Sequence, residues 1–149
     1  MIEVRQAVQN DTAGLIENAR FWPTEGGSWV APRTEDGGVD VDRARSRVGD
    51  PAFGVMVAID DQNERIVGYA VGYSSALTRA IDRNAKLDEV MVSDDYRKQG
   101  IGTRLVRAFE EWARRAGMER CTLGGGPAPL FYEKLGWERY GFAMFMKRL

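Results

Sequence analysis

Apolar and polar residues alternate over residues 2–7, with Ile2 and Val4 set against Glu3 and Arg5, which predicts a half-buried strand. Asn10-Asp11-Thr12 offers N-cap chemistry for a helix over residues 13–21, where Leu15, Ile16, Ala19 and Trp22 share one face and Pro23 ends it. Residues 22–49 carry Gly26-Gly27, Pro32 and Gly37-Gly38 and predict a loop with one short helix near residues 42–48. Two β-branched runs, 53–59 and 66–73, flank Asp60-Asp61-Gln62-Asn63-Glu64 and read as a hairpin. Residues 74–84 form a connector. Residues 87–92 are apolar enough on both faces for a central strand. Ile101, Leu105, Ala108, Phe109, Trp112 and Ala116 then recur at helical spacing, and Gly117 stands where a C′ glycine belongs. A short strand at 120–123, a helix at 130–135 opened by Pro129 and closed by Gly136, and strands at 137–140 and 142–146 complete the chain. The order βα(α)ββ–β–α–β–α–ββ predicts an α/β fold with one mixed, partly parallel sheet and helices on its faces.

Composition narrows the chemistry. At 149 residues the chain has the length of one ordinary domain, and residues 1–149 are read as such. It has no histidine, which removes Ser-His and Cys-His nucleophile pairs and His-containing metal sites. Its one cysteine, Cys121, lies in a predicted strand and reads as a buried thiol; it can form neither an internal disulfide nor a cysteine-rich metal centre, so no metal is expected. A net charge of -1 gives no global pull toward nucleic acid or anionic membranes. No apolar run approaches the roughly 20 residues of a membrane span, and the N-terminus shows no leader. The expectation is a cytoplasmic protein with neither membrane nor nucleic-acid partner.

The neutral total hides a local cluster. Arg97, Lys98, Arg104 and Arg107 surround Arg97-Lys98-Gln99-Gly100-Ile101-Gly102-Thr103, and no acidic residue lies between 97 and 109. This glycine-bearing loop runs from a strand into a helix N-terminus, where backbone N–H groups lack intrahelical acceptors and the dipole is positive. Such a junction suits a phosphate or pyrophosphate. Neither common nucleotide motif fits: Thr103-Arg104 follows the second glycine where a P-loop needs Lys-Ser/Thr, and Leu105 replaces the third glycine of the dinucleotide fingerprint.

Residues 90–102, Val-Met-Val-Ser-Asp-Asp-Tyr-Arg-Lys-Gln-Gly-Ile-Gly, resemble the acetyl-CoA-binding motif of the GNAT N-acetyltransferase superfamily, whose core is Arg/Gln-x-x-Gly-x-Gly/Ala after a strand. Residues 128–137, Ala-Pro-Leu-Phe-Tyr-Glu-Lys-Leu-Gly-Trp, resemble its second motif, in the right order. The resemblance extends through the element order to the whole chain. It implies a GNAT-like mixed central sheet of six to seven strands with about four helices, and an acetyl-CoA-dependent N-acetyltransferase in which an acceptor primary amine attacks the thioester directly. Arg97, Lys98, Gln99, Gly100, Ile101, Gly102 and Thr103 would take the CoA pyrophosphate, mainly through backbone N–H groups. Val90, Met91 and Val92 would pair with the pantetheine arm, and backbone donors would polarise the carbonyl. Tyr132 would be the general acid toward the leaving thiolate, a phenol with a pKa of about 10 being suited to a basic sulfur. Asp88 or Glu89 would act as base through water; strand alternation lets at most one of them face the cleft and does not choose which. Family members often dimerise, so a homodimer is a candidate assembly.

Gly125 departs from the family, standing where an Asn often contacts the cofactor. That departure motivates the rival reading, a catalytically silent acyl-CoA-binding regulatory or interaction module. Acceptor choice would be written in residues 22–49, bordered by Phe21, Trp22 and Trp29. Glu25, Glu35, Asp36, Asp40 and Asp42 there suggest an acidic patch for a cationic amine, or simply a solvated loop beside a helix carrying Arg43, Arg45 and Arg47.

Overall fold

The computed structural model describes residues 1–20, 22–74, 83–124, 128–140 and 144–149. Among them a seven-stranded sheet forms from β1 (Ile2–Gln6), β4 (Phe53–Asp60), β5 (Arg65–Ser74), β6 (Asn84–Val92), β7 (Arg120–Gly124), β8 (Glu138–Tyr140) and β9 (Met144–Arg148). Its spatial order is β1-β4-β5-β6-β7-β9-β8. The β6–β7 pair is parallel and every other neighbouring pair is antiparallel, so the sheet is mixed as expected. β6 holds the centre.

Helices α1 (Thr12–Ala19) and α2 (Val41–Gly49) cover one face, and α3 (Ile101–Arg115) and α4 (Pro129–Lys134) the other. α3 buries Ile101, Leu105, Val106, Phe109, Trp112 and Ala113 against the sheet. Each of the larger side chains contributes about 1.5–3 kcal/mol, which fixes the helix and therefore the position of its N-terminus. Gly117 follows its last turn with φ of 82°. α2 is capped by Asp40, whose side chain accepts the Arg43 N–H at 3.0 Å.

Several element bounds differ from the sequence expectation by one or two residues, the first helix among them, and two further differences have a structural reason. The first helix runs Thr12–Ala19, two residues short of the expected end at residue 21. β6 begins at Asn84 rather than Leu87, because parallel pairing with β7 holds the polar start of the strand. A small hairpin, β2 (Gly27–Ser28) with β3 (Ala31–Pro32), occupies what read as loop. Two-residue strands have no periodicity to detect; this hairpin stands because Ser28, Val30 and Ala31 are buried on the sheet.

Candidate active site

The parallel pairing of β6 with β7 covers only Asn84↔Arg120, Ala85↔Cys121 and Lys86↔Thr122. Beyond Lys86 the strands part, since Leu123 and Gly124 pair with β9 alone. Among the described residues, β6 from Leu87 to Val92 is therefore paired on the β5 side only, leaving an unladdered edge inside the sheet. An amide-bearing chain can complete such an edge by strand-like pairing.

A cavity of about 750 Å³ opens along this edge. Val90, Met91, Val92, Arg97, Lys98, Gly100, Ile101, Gly102 and Thr103 line it; Gln99 is exposed and does not. Trp22, Pro23, Tyr96, Ala128 and Phe131 complete the wall. The loop between β6 and α3 is tied at three points. The Ser93 N–H donates to the Val67 carbonyl at 2.8 Å, the Tyr96 hydroxyl to Asp60 Oδ2 at 2.7 Å, and Arg97 Nε to the Val92 carbonyl at 3.1 Å. Two residues of the loop have left-handed backbone, Lys98 at φ 62° and Gly100 at φ 78°. Gly100 suits that conformation; Lys98, with a side chain, holds it at a cost. Gly100 is also the N-cap of α3 and supplies no side-chain cap, so the first-turn N–H groups face the cavity end without one.

The basic cluster divides. Arg107 turns away to the buried Glu110, 3.2 Å, and to the Leu135 carbonyl, and Arg97 pairs with Asp94 at 3.1 Å. Lys98 and Arg104 make no ion pair among the described residues, so the free positive charge at the loop is theirs together with the helix dipole.

Asp88 and Glu89 overturn the alternation expectation. The β5–β6 register passes from Val71↔Glu89 to Gly72↔Leu87, so Asp88 is the extra residue of a β-bulge. The bulge cancels one alternation and both carboxylates reach the β2–β3 hairpin, at Ser28 and its turn residue Trp29. Asp88 accepts the indole N–H of Trp29 and lies 3.8 Å from Lys86 Nζ, while remaining exposed. Glu89 is 5% exposed and accepts from Ser28 Oγ at 2.5 Å, the Trp29 N–H at 3.2 Å and the Tyr69 hydroxyl at 3.3 Å. Burial pushes the Glu89 carboxyl above the usual carboxylate range; the Ser28 and Trp29 donors oppose this, and the Asp88 charge adds to it. Burial pushes the Tyr69 phenol up as well, with Glu89's charge, so Tyr69 stays a donor. Gly72 accommodates the bulge: a Cβ there would lie 2.0 Å from the Lys86 carbonyl and 2.7 Å from Phe109 Cζ.

Tyr132 sits on α4 in an aromatic group, its ring centroid 4.9 Å from the cavity-lining Phe131, 5.7 Å from Trp137 and 6.2 Å from Phe145. Its hydroxyl makes no hydrogen bond among the described residues, and burial pushes its pKa up. Cys121 is buried and its thiol is pushed up to about 12, first by burial and then by Glu110; this is a packed thiol, inert at neutral pH. Of the two readings of the acidic residues in 22–49, the described residues fit the solvated loop. Asp36 accepts within its own turn from Thr34 and Gly38, Asp40 caps α2, and Glu25, Glu35 and Asp42 are exposed. Gly125 and Phe21 lie outside the described residues. Ser28 and Tyr69 escaped the sequence reading; a tyrosine inside an apolar strand, needing a partner for its hydroxyl, was the one available signal.

A family model described as an acetyltransferase (GNAT) domain matches residues 51–139. CgeE of Bacillus subtilis (strain 168), described as an uncharacterized N-acetyltransferase, is 28% identical over 89 residues; the match spans 58% of this chain and 33% of that protein's length. The PaiA N-acetyltransferase of Thermoplasma acidophilum, solved with coenzyme A, superposes with a TM-score of 0.74 at 19% identity, covering 100% of this chain and 99% of that one. N-acetylglutamate synthase of Neisseria gonorrhoeae, solved with coenzyme A and N-acetyl-glutamate, gives 0.73 at 15% identity, covering 100% of this chain and 35% of that one. At these identities the two structures speak to the fold.

Proposed function

The chain belongs to the GNAT acetyltransferase family, and from that premise we propose that residues 1–149 act as one domain that transfers an acetyl group from acetyl-CoA to an acceptor amine. The observation that carries the reading is the coincidence, in one cavity of about 750 Å³, of a one-sided strand edge and an uncapped helix N-terminus flanked by Lys98 and Arg104. Those features fit the two ends of an acyl-CoA: an amide arm and a pyrophosphate. The N–H groups of residues 98–103 would hold the pyrophosphate, and Val90, Met91 and Val92 the arm. Bound acetyl-CoA supplies the thioester carbon that the amine attacks, and its thiol leaves. Backbone N–H groups on the open edge of β6 would polarise the thioester carbonyl. Glu89, shielded by burial and held above the usual carboxylate range, would take the amine proton through water; Asp88 holds Trp29 beside it. Tyr132, kept protonated by burial, would donate to the departing sulfur.

Acetyl-CoA should raise the melting temperature of the protein, and Gly100→Val should abolish that shift, because a β-branched residue is strained at φ 78°. CoA release over a panel of primary amines then tests turnover. Binding without release on any amine would make the chain an acyl-CoA-binding module, and no binding at all would defeat both readings.

A further inference from the structure

On the outer side of the β2–β3 hairpin a notch of about 300 Å³ is lined by Gly26, Gly27, Ser28, Trp29 and Pro32 and by three guanidinium groups, Arg33, Arg43 and Arg47. No carboxylate is among the lining residues. Arg47 is half-buried, stacked 4.6 Å above the Trp29 ring, with Nη1 donating to the Trp29 carbonyl at 2.9 Å. It makes no ion pair among the described residues; burial and the Arg43 charge press against its own, and the more distant Glu89 and Asp40 charges partly offset them. Arg33 is anchored through Nη2 to the Arg20 and Trp22 carbonyls, 3.2 and 3.4 Å. Arg43 has only a long pair, 3.8 Å from Nε to Asp40. Backbone carbonyls and an aromatic face thus hold like charges together in a concave surface, each with N–H donors to spare.

We propose that this notch binds an oxyanion, the carboxylate or phosphate group of a small molecule. Fork-shaped donors match both groups, and an anion would relieve the mutual repulsion of the arginines. The site is distinct from the acyl-CoA cavity and stands on its own geometry. It shares Ser28 and Trp29 with the carboxylate site: their backbone borders the notch while Ser28 Oγ and both Trp29 N–H groups hold Glu89 and Asp88. Two sources can supply the anion, the acceptor itself or a free ligand.

Inorganic phosphate titrated into the labelled protein at constant ionic strength is the probe, followed by amide shifts. Gly26, Gly27 and Trp29 should shift saturably, and Arg43→Gln, at an exposed side chain that leaves the hairpin anchored, should weaken the fitted affinity about tenfold. Arg47→Lys, retaining charge but not the fork, should weaken it similarly. Shifts confined to residues 98–103, or an affinity unchanged in both variants, would overturn the site. CoA release with an amino acid and with its methyl ester assigns the source. An Arg43→Gln effect on KM for the acid alone places the anion on the acceptor, and KM values unchanged for both, with phosphate binding still weakened in the variant, place it on a separate ligand; either result upholds the site. Lack of turnover would count against the acetyltransfer reading and leave the phosphate titration intact.

Discussion

Replacing Ser28 by alanine tests the carboxylate site through its dependence on pH. The Ser28 hydroxyl donates to Glu89 Oε1 at 2.5 Å and accepts the Val30 N–H at 3.2 Å. Losing the Val30 contact costs the same at every pH. Losing the bond to Glu89 does not. With the carboxyl protonated, an ordinary neutral hydrogen bond of about 0.5–1.5 kcal/mol disappears; with it ionised, a charge-assisted one of about 1.5–3 kcal/mol disappears. The sign follows from linkage. Glu89 is raised in the folded protein, so its contribution is present in full below the unfolded carboxyl value and declines as pH rises through the folded one. Ser28→Ala raises it further and extends that decline to higher pH.

Thermal unfolding of wild type and variant should therefore show a gap that widens from acid to alkaline pH by about 1–1.5 kcal/mol. In a chain of this size that is a few degrees, at about 2–4 °C per kcal/mol. The acid limb of kcat/KM should move to higher pH in the same variant, because the base must lose its proton to work. Melting curves offset by the same amount at all pH values would refute the charged Ser28–Glu89 contact. A widened gap with an unmoved kinetic limb would remove Glu89 from the proton path.

Three further substitutions separate the parts of the site. Glu89→Gln should lower kcat/KM by about 10²–10⁴ with acetyl-CoA affinity unchanged by calorimetry, since Glu89 does not line the cavity proposed for acetyl-CoA. Tyr132→Phe should lower kcat by about 10² while leaving urea stability within about 0.5 kcal/mol, because its hydroxyl has no hydrogen-bond partner among the described residues; an unchanged kcat would exclude it as the acid. Gly72→Ala should destabilise the fold by at least 1–3 kcal/mol in denaturant titration, as its Cβ would meet the Lys86 carbonyl at 2.0 Å, and wild-type stability would show that the bulge adjusts freely.

What the sequence made legible is what neighbouring residues decide among themselves. The α3 helix and the loop before it are visible because Ile101, Leu105, Phe109 and Trp112 share a face and Gly100 precedes them. The β2–β3 hairpin was not, since its short strands persist only through burial of Ser28, Val30 and Ala31 against a sheet far away in sequence. Arg107 was counted with the loop charges, yet its direction depends on Glu110 and on the end of α4.

The bulge at Asp88 is the most consequential case. Alternation is a property of one strand, whereas a bulge is a relation between two, and only the passage from Val71↔Glu89 to Gly72↔Leu87 reveals it. With both carboxylates on one side, direction no longer distinguishes them; environment does. Asp88 is exposed and lies near the Lys86 ammonium, while Glu89 is buried among neutral donors and beside a negative neighbour. Burial thereby holds the proton affinity of Glu89 above the usual carboxylate range. The proposed base gains from that higher affinity near neutral pH, and in a chain without histidine a buried carboxylate is one way to obtain it.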